Sequence, residues 1–131
     1  MIHKELLVPD RVRRPPREGW SWIDRRFLRQ HAARLSHEAI TLYLFLAAVS
    51  DHRGLSFYSD TSTAIRLRMS ERAVVAARDE LAAEDLVAYR APLTQVLSLP
   101  QTARVQRGGL ASLGEMFRAL ADPKGPPGRS P

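Results

Sequence analysis

The sequence predicts a mainly α-helical chain carrying a small β-sheet, and three observations lead to that class. Residues able to cap a helix stand immediately ahead of helix-forming apolar patterns, at Ser36, across Ser59, Asp60, Thr61 and Ser62, and at Ser70. Two short β-prone runs, Leu86 to Arg90 and Gln95 to Leu99, are separated by Ala91, Pro92, Leu93 and Thr94, the length of a hairpin loop. A third β-favourable piece, Leu55 to Tyr58, sits between the first two capped helices.

Taken in order, residues 1–19 form an extended basic arm, because PDRVRRPPREG mixes three prolines with Arg11, Arg13, Arg14 and Arg17 and cannot make a regular helix. Residues 20–35 are a helical extension, with a helix over about 24–34 anchored by Trp20, Trp22, Ile23, Phe27, Leu28 and Leu35. Residues 36–99 are the domain. Its first helix, about 37–51, has Ile40, Tyr43, Leu44, Ala47 and Ala48 at helical spacing and Leu42, Phe45 and Leu46 filling the gaps, so neighbours on several sides are expected. Gly54 supplies a left-handed stop. A second helix runs to about Leu67 with Ala64, Ile65 and Leu67 as its apolar residues. After a break at Arg68 to Ser70 a third runs over about 71–84, with Val74, Ala77 and Leu81 on one face. Residues 100–131 are a C-terminal extension, with a short amphipathic helix near 110–121 and a tail rich in proline and glycine.

Composition narrows the function. The chain has 131 residues, 44% hydrophobic and 26% charged, which suits one compact core with flanking segments. It has no cysteine, so disulfides, thiolate catalysis and cysteine-bound zinc are excluded, and a cytoplasmic setting is expected. The longest apolar run, Ala39 to Val49, is too short to cross a bilayer, and the N-terminus lacks the apolar stretch of an export signal. Net charge is +6, unevenly spread: residues 1–35 hold nine basic and four acidic side chains, 36–99 hold six and eight, and 100–131 hold five and two. Attraction to a polyanion therefore comes mostly from the flanks.

The stretch LSFYSDTSTAIRLRMSERAVVAARDELAAEDLVAYR resembles the winged helix-turn-helix regions of bacterial transcription regulators and of plasmid or phage replication initiators. The likeness covers roughly half the chain. It rests on Ala64 and Ile65 in the second helix, Met69 and Ser70 at the turn, Val74 and Leu81 in the third helix, and Leu86 and Val87 opening the hairpin. It departs at Asp85, where such families often carry glycine, so the third helix is expected to end differently. The resemblance implies a double-stranded DNA-binding protein of the nucleoid, acting in transcription regulation or in replication or transposition of a mobile element. It further implies that the third helix enters the major groove while the wing and the start of the second helix meet phosphate.

On that view Arg72, Val75, Ala76 and Asp79 form the face offered to bases. Arg72 suits guanine, Val75 or Ala76 suits a thymine methyl, and Asp79, like Glu71, repels phosphate. Backbone contacts are assigned to Thr61, Ser62 and Thr63 near a helix start, to Arg66 and Arg68, and to Arg90 on the wing. The arm arginines resemble the basic arms that follow a backbone or enter a minor groove. The alternative is a non-catalytic protein-binding adaptor or accessory subunit, docking on a partner or a second copy through 110–120.

Other chemistries find less footing. Trp20, Trp22, Phe27, Tyr43, Phe45, Phe57 and Tyr58 fit core packing better than a base-stacking platform. His3, His31, His37 and His52 form no close pair at ligand spacing, so no metal is expected. Asp51 beside His52 lacks a nucleophile and an oxyanion site, and Gly108–Gly109 lacks a phosphate-loop lysine. No catalytic residue and no cofactor are expected.

Overall fold

A computed structural model describes residues 2–100, and those up to Ser98 form one compact unit. The predicted helix near 110–121 and the segment 110–120 lie outside the described residues. Three α-helices and a small antiparallel sheet make up the unit: α1 (His37–Val49), β1 (Leu55–Ser56), α2 (Asp60–Leu67), α3 (Glu71–Ala83), β2 (Val87–Arg90) and β3 (Leu93–Val96). No helix among the described residues is long and apolar enough to cross a membrane.

Each α-helix starts on a serine. The Ser36 hydroxyl accepts from the Ala39 amide at 3.1 Å, that of Ser59 from Ser62 at 3.0 Å, and that of Ser70 from Ala73 at 3.0 Å. Each bond satisfies an amide that the first helical turn leaves without a partner. α2 ends where Arg68 turns left-handed (φ 59°, ψ 45°), and only Arg68, Met69 and Ser70 separate it from α3. Residues 60–83 are thus two helices and not one rod. At the far end of α3 the expected departure does not occur: Asp85 adopts φ 65°, closing the helix as glycine would. The Leu86 amide then donates to the Leu81 carbonyl at 2.9 Å, and Leu86 drops fully into the core.

α1 is covered on several sides. Ala39, Leu42, Tyr43, Phe45, Leu46 and Ala47 are all buried, and α1 packs against α2, α3 and β3. From α3 the stripe Val74, Ala77 and Leu81 faces inward, at 1%, 1% and 0% exposure. Ile65 differs from expectation. It stands 72% exposed, and the inward side of α2 is held instead by Thr63 and Ala64.

The sheet has the order β1-β3-β2, with β3 central and antiparallel to both neighbours. The second hairpin strand, expected at 95–99, lies at Leu93–Val96, and the loop shrinks to Ala91–Pro92. In this register Thr94 is the buried residue of β3. Gly54 meets β3 directly. With φ +87° it accepts from the Val96 amide at 2.8 Å, and a Cβ on it would lie 2.5 Å from the Val96 carbonyl oxygen. Only glycine fits both constraints.

The extension departs most from the predicted helix over 24–34. It forms a π-helical turn (Phe27–His31) followed by a 3-10 turn (Ala32–Arg34). The wide turn lays Phe27 flat on Tyr43, with ring centroids 4.0 Å apart and planes 6° from parallel, and buries His31. Trp20, Trp22, Ile23 and Leu28, expected as anchors, are exposed, and so is Phe57. Packing therefore explains Phe27, Tyr43 and Phe45 but not the two tryptophans.

Acidic side chains lock α3 to the segment ahead of α1. Glu80 accepts from the Ser36 hydroxyl at 2.6 Å and the Ser36 amide at 2.9 Å; Glu84 accepts from Arg34 at 2.8 Å. These donors hold both carboxyls below their ordinary range, the Ser36 hydroxyl being the main cause for Glu80 and the Arg34 guanidinium for Glu84. A lowered folded value means that the contribution is complete above the unfolded carboxylate range and is lost as pH falls through the folded value. Urea midpoints should accordingly show Glu80→Gln less stable than wild type at pH 7, with the gap narrowing as pH falls below the ordinary carboxylate range. A gap that stays constant with pH would rule out this ionic contribution.

Candidate nucleic-acid interface

α3 presents to solvent the residues that its helical phase predicts. Arg72, Val75, Ala76 and Asp79 are exposed, on the side away from the buried Val74, Ala77 and Leu81. The base-facing candidates thus share one surface. Between Arg72 and Asp79 it carries the small side chains of Val75 and Ala76.

Around the start of α3 the candidate phosphate contacts divide. Arg66 and Arg68 are exposed; the Arg66 guanidinium lies 5.6 Å from the centre of the Tyr58 ring, and Arg68 sits on the left-handed turn between α2 and α3. Thr61 is exposed, but its hydroxyl donates to Glu71 at 2.8 Å, occupying one carboxylate oxygen. Ser62 is half-buried, with its amide used by the Ser59 cap. Thr63 is a correction. It is buried with its hydroxyl donating to the Ser59 carbonyl at 2.9 Å, so it offers nothing to a ligand. Arg90 is exposed at the end of β2, paired in register with Leu93.

Arg78 is the residue that the sequence reading missed. Its guanidinium pairs with Asp60 at 2.8 Å and covers the Tyr89 ring at 3.8 Å, joining α3 to the first turn of α2 and to β2. The signal was available: position 78 falls four residues after Val74 and three before Leu81, on the inward stripe. An arginine there must find partners inside the fold. Arg78 therefore fixes the hairpin against the helices and is not a free cation.

No family model, no curated protein and no solved structure matches this chain.

The arm is open to solvent throughout. Arg11, Arg13, Arg14 and Arg17 are all exposed, and among the described residues of the arm the only regular piece is the 3-10 turn Pro9–Arg11. Beyond it the chain passes along α1, where Glu18, Gly19, Trp20, Ser21 and Ile23 face Leu44, Ala47, Ala48 and Ser50 across an open groove of about 560 Å³. The Ser21 hydroxyl donates to the Ala48 carbonyl at 3.3 Å. Leu44 and Ala48 lie about half a turn around α1 from the buried Ala39 and Leu46, so this groove is on the side of α1 away from that buried stripe.

His31 is packed rather than offered as a ligand. It is 4% exposed, with Nδ1 3.4 Å from an Arg34 nitrogen and 3.6 Å from Glu84. Asp51, the other residue weighed for chemistry, accepts from the backbone amides of Arg53 and Leu55, which hold its carboxyl low and close the loop after α1. A turn of the backbone explains it fully.

Proposed function

We propose that this chain is a winged-helix protein that binds double-stranded DNA, acting without catalysis in transcription control or in replication or transposition of a mobile element, with the nucleoid as its place of work. One observation carries the reading: α3 follows α2 after a three-residue turn and precedes a hairpin, and it exposes Arg72, Val75, Ala76 and Asp79 on one side, with Arg66, Arg68 and Arg90 also exposed on the segments before and after it. A duplex major groove admits such a helix, and cations at its edges meet phosphate. The domain itself holds more acidic than basic side chains, so the arm supplies most of the long-range attraction.

Affinity for duplex DNA, followed by fluorescence anisotropy against salt, should fall on a log–log plot by about 0.9 per phosphate neutralised. Arg72→Ala should reduce discrimination at one base pair by about 1–3 kcal/mol while leaving the salt slope nearly unchanged. No binding at about 50 mM salt would transfer the reading to its rival.

That rival is an adaptor or accessory subunit. The exposed Trp20, Trp22, Leu28 and Leu44 and the open groove beside α1 favour it, because large apolar side chains of this kind are costly to leave in water and suit a protein partner. Both roles can belong to one protein, since the two surfaces do not overlap.

A further inference from the structure

α3 divides its charged side chains into two sets. Glu71 accepts from Thr61, Arg78 is held by Asp60 and Tyr89, and Glu80 takes both donors of Ser36. Arg72 and Asp79 make no hydrogen bond or ion pair among the described residues, and both are exposed. They stand seven residues apart, about two helical turns, so they share one stripe and are separated by about 10.5 Å along the axis. Between them on that stripe lie Val75 and Ala76, both exposed and both ending in methyl groups. The order along the helix is a donor fork, a methyl surface and an acceptor.

A free carboxylate on a face offered to a polyanion weakens every phosphate contact near it. Asp79 is consistent with that face only if it meets a donor, and the major-groove edge of cytosine presents one in its N4 amino group. Guanine offers the two acceptors that suit the Arg72 fork, and thymine offers the C5 methyl that suits Val75 and Ala76. At about 3.4 Å per base pair, the distance from Arg72 to Asp79 covers about three steps.

Resting on the reading that α3 enters the major groove, we infer that this stripe recognises a short duplex element. In it a guanine and a cytosine lie about three steps apart, with thymine methyls between them, and Asp79 is a specificity-determining residue and not merely a solvated acid.

The full-length chain should first be used to select duplexes from a random pool, and the selected site then titrated by anisotropy. Asp79→Ala should lower preference for cytosine at one position by about tenfold, while affinity for unrelated duplex stays equal or rises because a negative charge is gone. Arg72→Ala should remove the guanine preference about three steps away. Replacing the intervening thymines with deoxyuridine, which lacks only the methyl group, should weaken wild-type binding by about fourfold per methyl contacted. If Asp79→Ala strengthens binding to all duplexes by one factor, and deoxyuridine sites bind like thymine sites, the inference is wrong although DNA binding stands. If no duplex is bound or selected, the underlying reading fails with it. Circular dichroism of Asp79→Ala, at an exposed position, checks that the fold is retained.

Discussion

Replacing Arg11, Arg13, Arg14 and Arg17 together with glutamine is expected to weaken binding to every duplex alike, by about two to three orders of magnitude near 0.15 M salt. The estimate follows from counterion release. Each arginine that meets a phosphate contributes about 0.9 to the slope of log affinity against log salt, which near 0.15 M amounts to about fivefold per contact. All four should therefore flatten the slope by up to about 3.6. Such a role suits the arm: the four arginine side chains are exposed, and the backbone between the turn Pro9–Arg11 and the turn at 16–19 forms no helix or strand. Arg72→Ala provides the contrast, altering preference among sequences with little change in slope. Weaker binding with an unchanged slope would mean that the arm acts through a protein contact, and no change in either quantity would remove it from the interface.

The two kinds of variant also divide the labour between fold and flank. A domain with eight acidic and six basic side chains has little long-range pull on DNA, and Arg78 is further withdrawn by Asp60 and Tyr89. What remains on the domain is suited to discrimination at short range. In the proposed function the arm gathers the duplex without regard to sequence, and α3 then distinguishes among sites.

What could be read from the sequence was whatever depends on neighbours a few residues away. Ser36, Ser70 and the run Ser59 to Ser62, within which Ser59 is the cap, announce helix starts because a capping hydroxyl needs only an amide three residues on. The inward stripe Val74, Ala77 and Leu81, and hence the outward Arg72, Val75, Ala76 and Asp79, follows from helical phase alone. The failures lie where a distant partner decides. The turn at Phe27–His31 sets Phe27 on the Tyr43 ring, and the segment's apolar pattern could not say that Phe27 would pack while Trp20, Trp22 and Leu28 stayed outside. Thr63 is buried and Ile65 exposed, against expectation, in a helix whose first turn is tied by Asp60 to Arg78, eighteen residues on. The strand β3 starts two residues and ends three residues before its expected bounds, and its buried residue is the polar Thr94. Asp85 shows the reverse. Its side chain disfavours the left-handed turn locally, and the burial of Leu86 immediately after it prevails.

That same junction sets the second large effect. Leu81→Ala is expected to destabilise the chain by about 2–5 kcal/mol, a large part of the roughly 5–15 kcal/mol that holds a domain of this size together. Leu81 is 0% exposed, lies on the stripe of α3 that packs on α1, and lends its carbonyl to the Leu86 amide that leads into β2. Truncation leaves a void that α1 and β2 cannot both close, since α1 is also held by Phe27 on Tyr43 and β2 by its register with β3. Urea unfolding measures the loss directly, and in a thermal melt each kcal/mol moves the midpoint by about 4–8 °C. Val75→Ala, on the opposite face of the same helix, should change stability by no more than about 0.5 kcal/mol while reducing discrimination between thymine and deoxyuridine. A loss below about 1 kcal/mol for Leu81→Ala would contradict a core built on α1, α3 and β2. The binding face of α3 would then lack the rigid support that distinguishing one base from another requires.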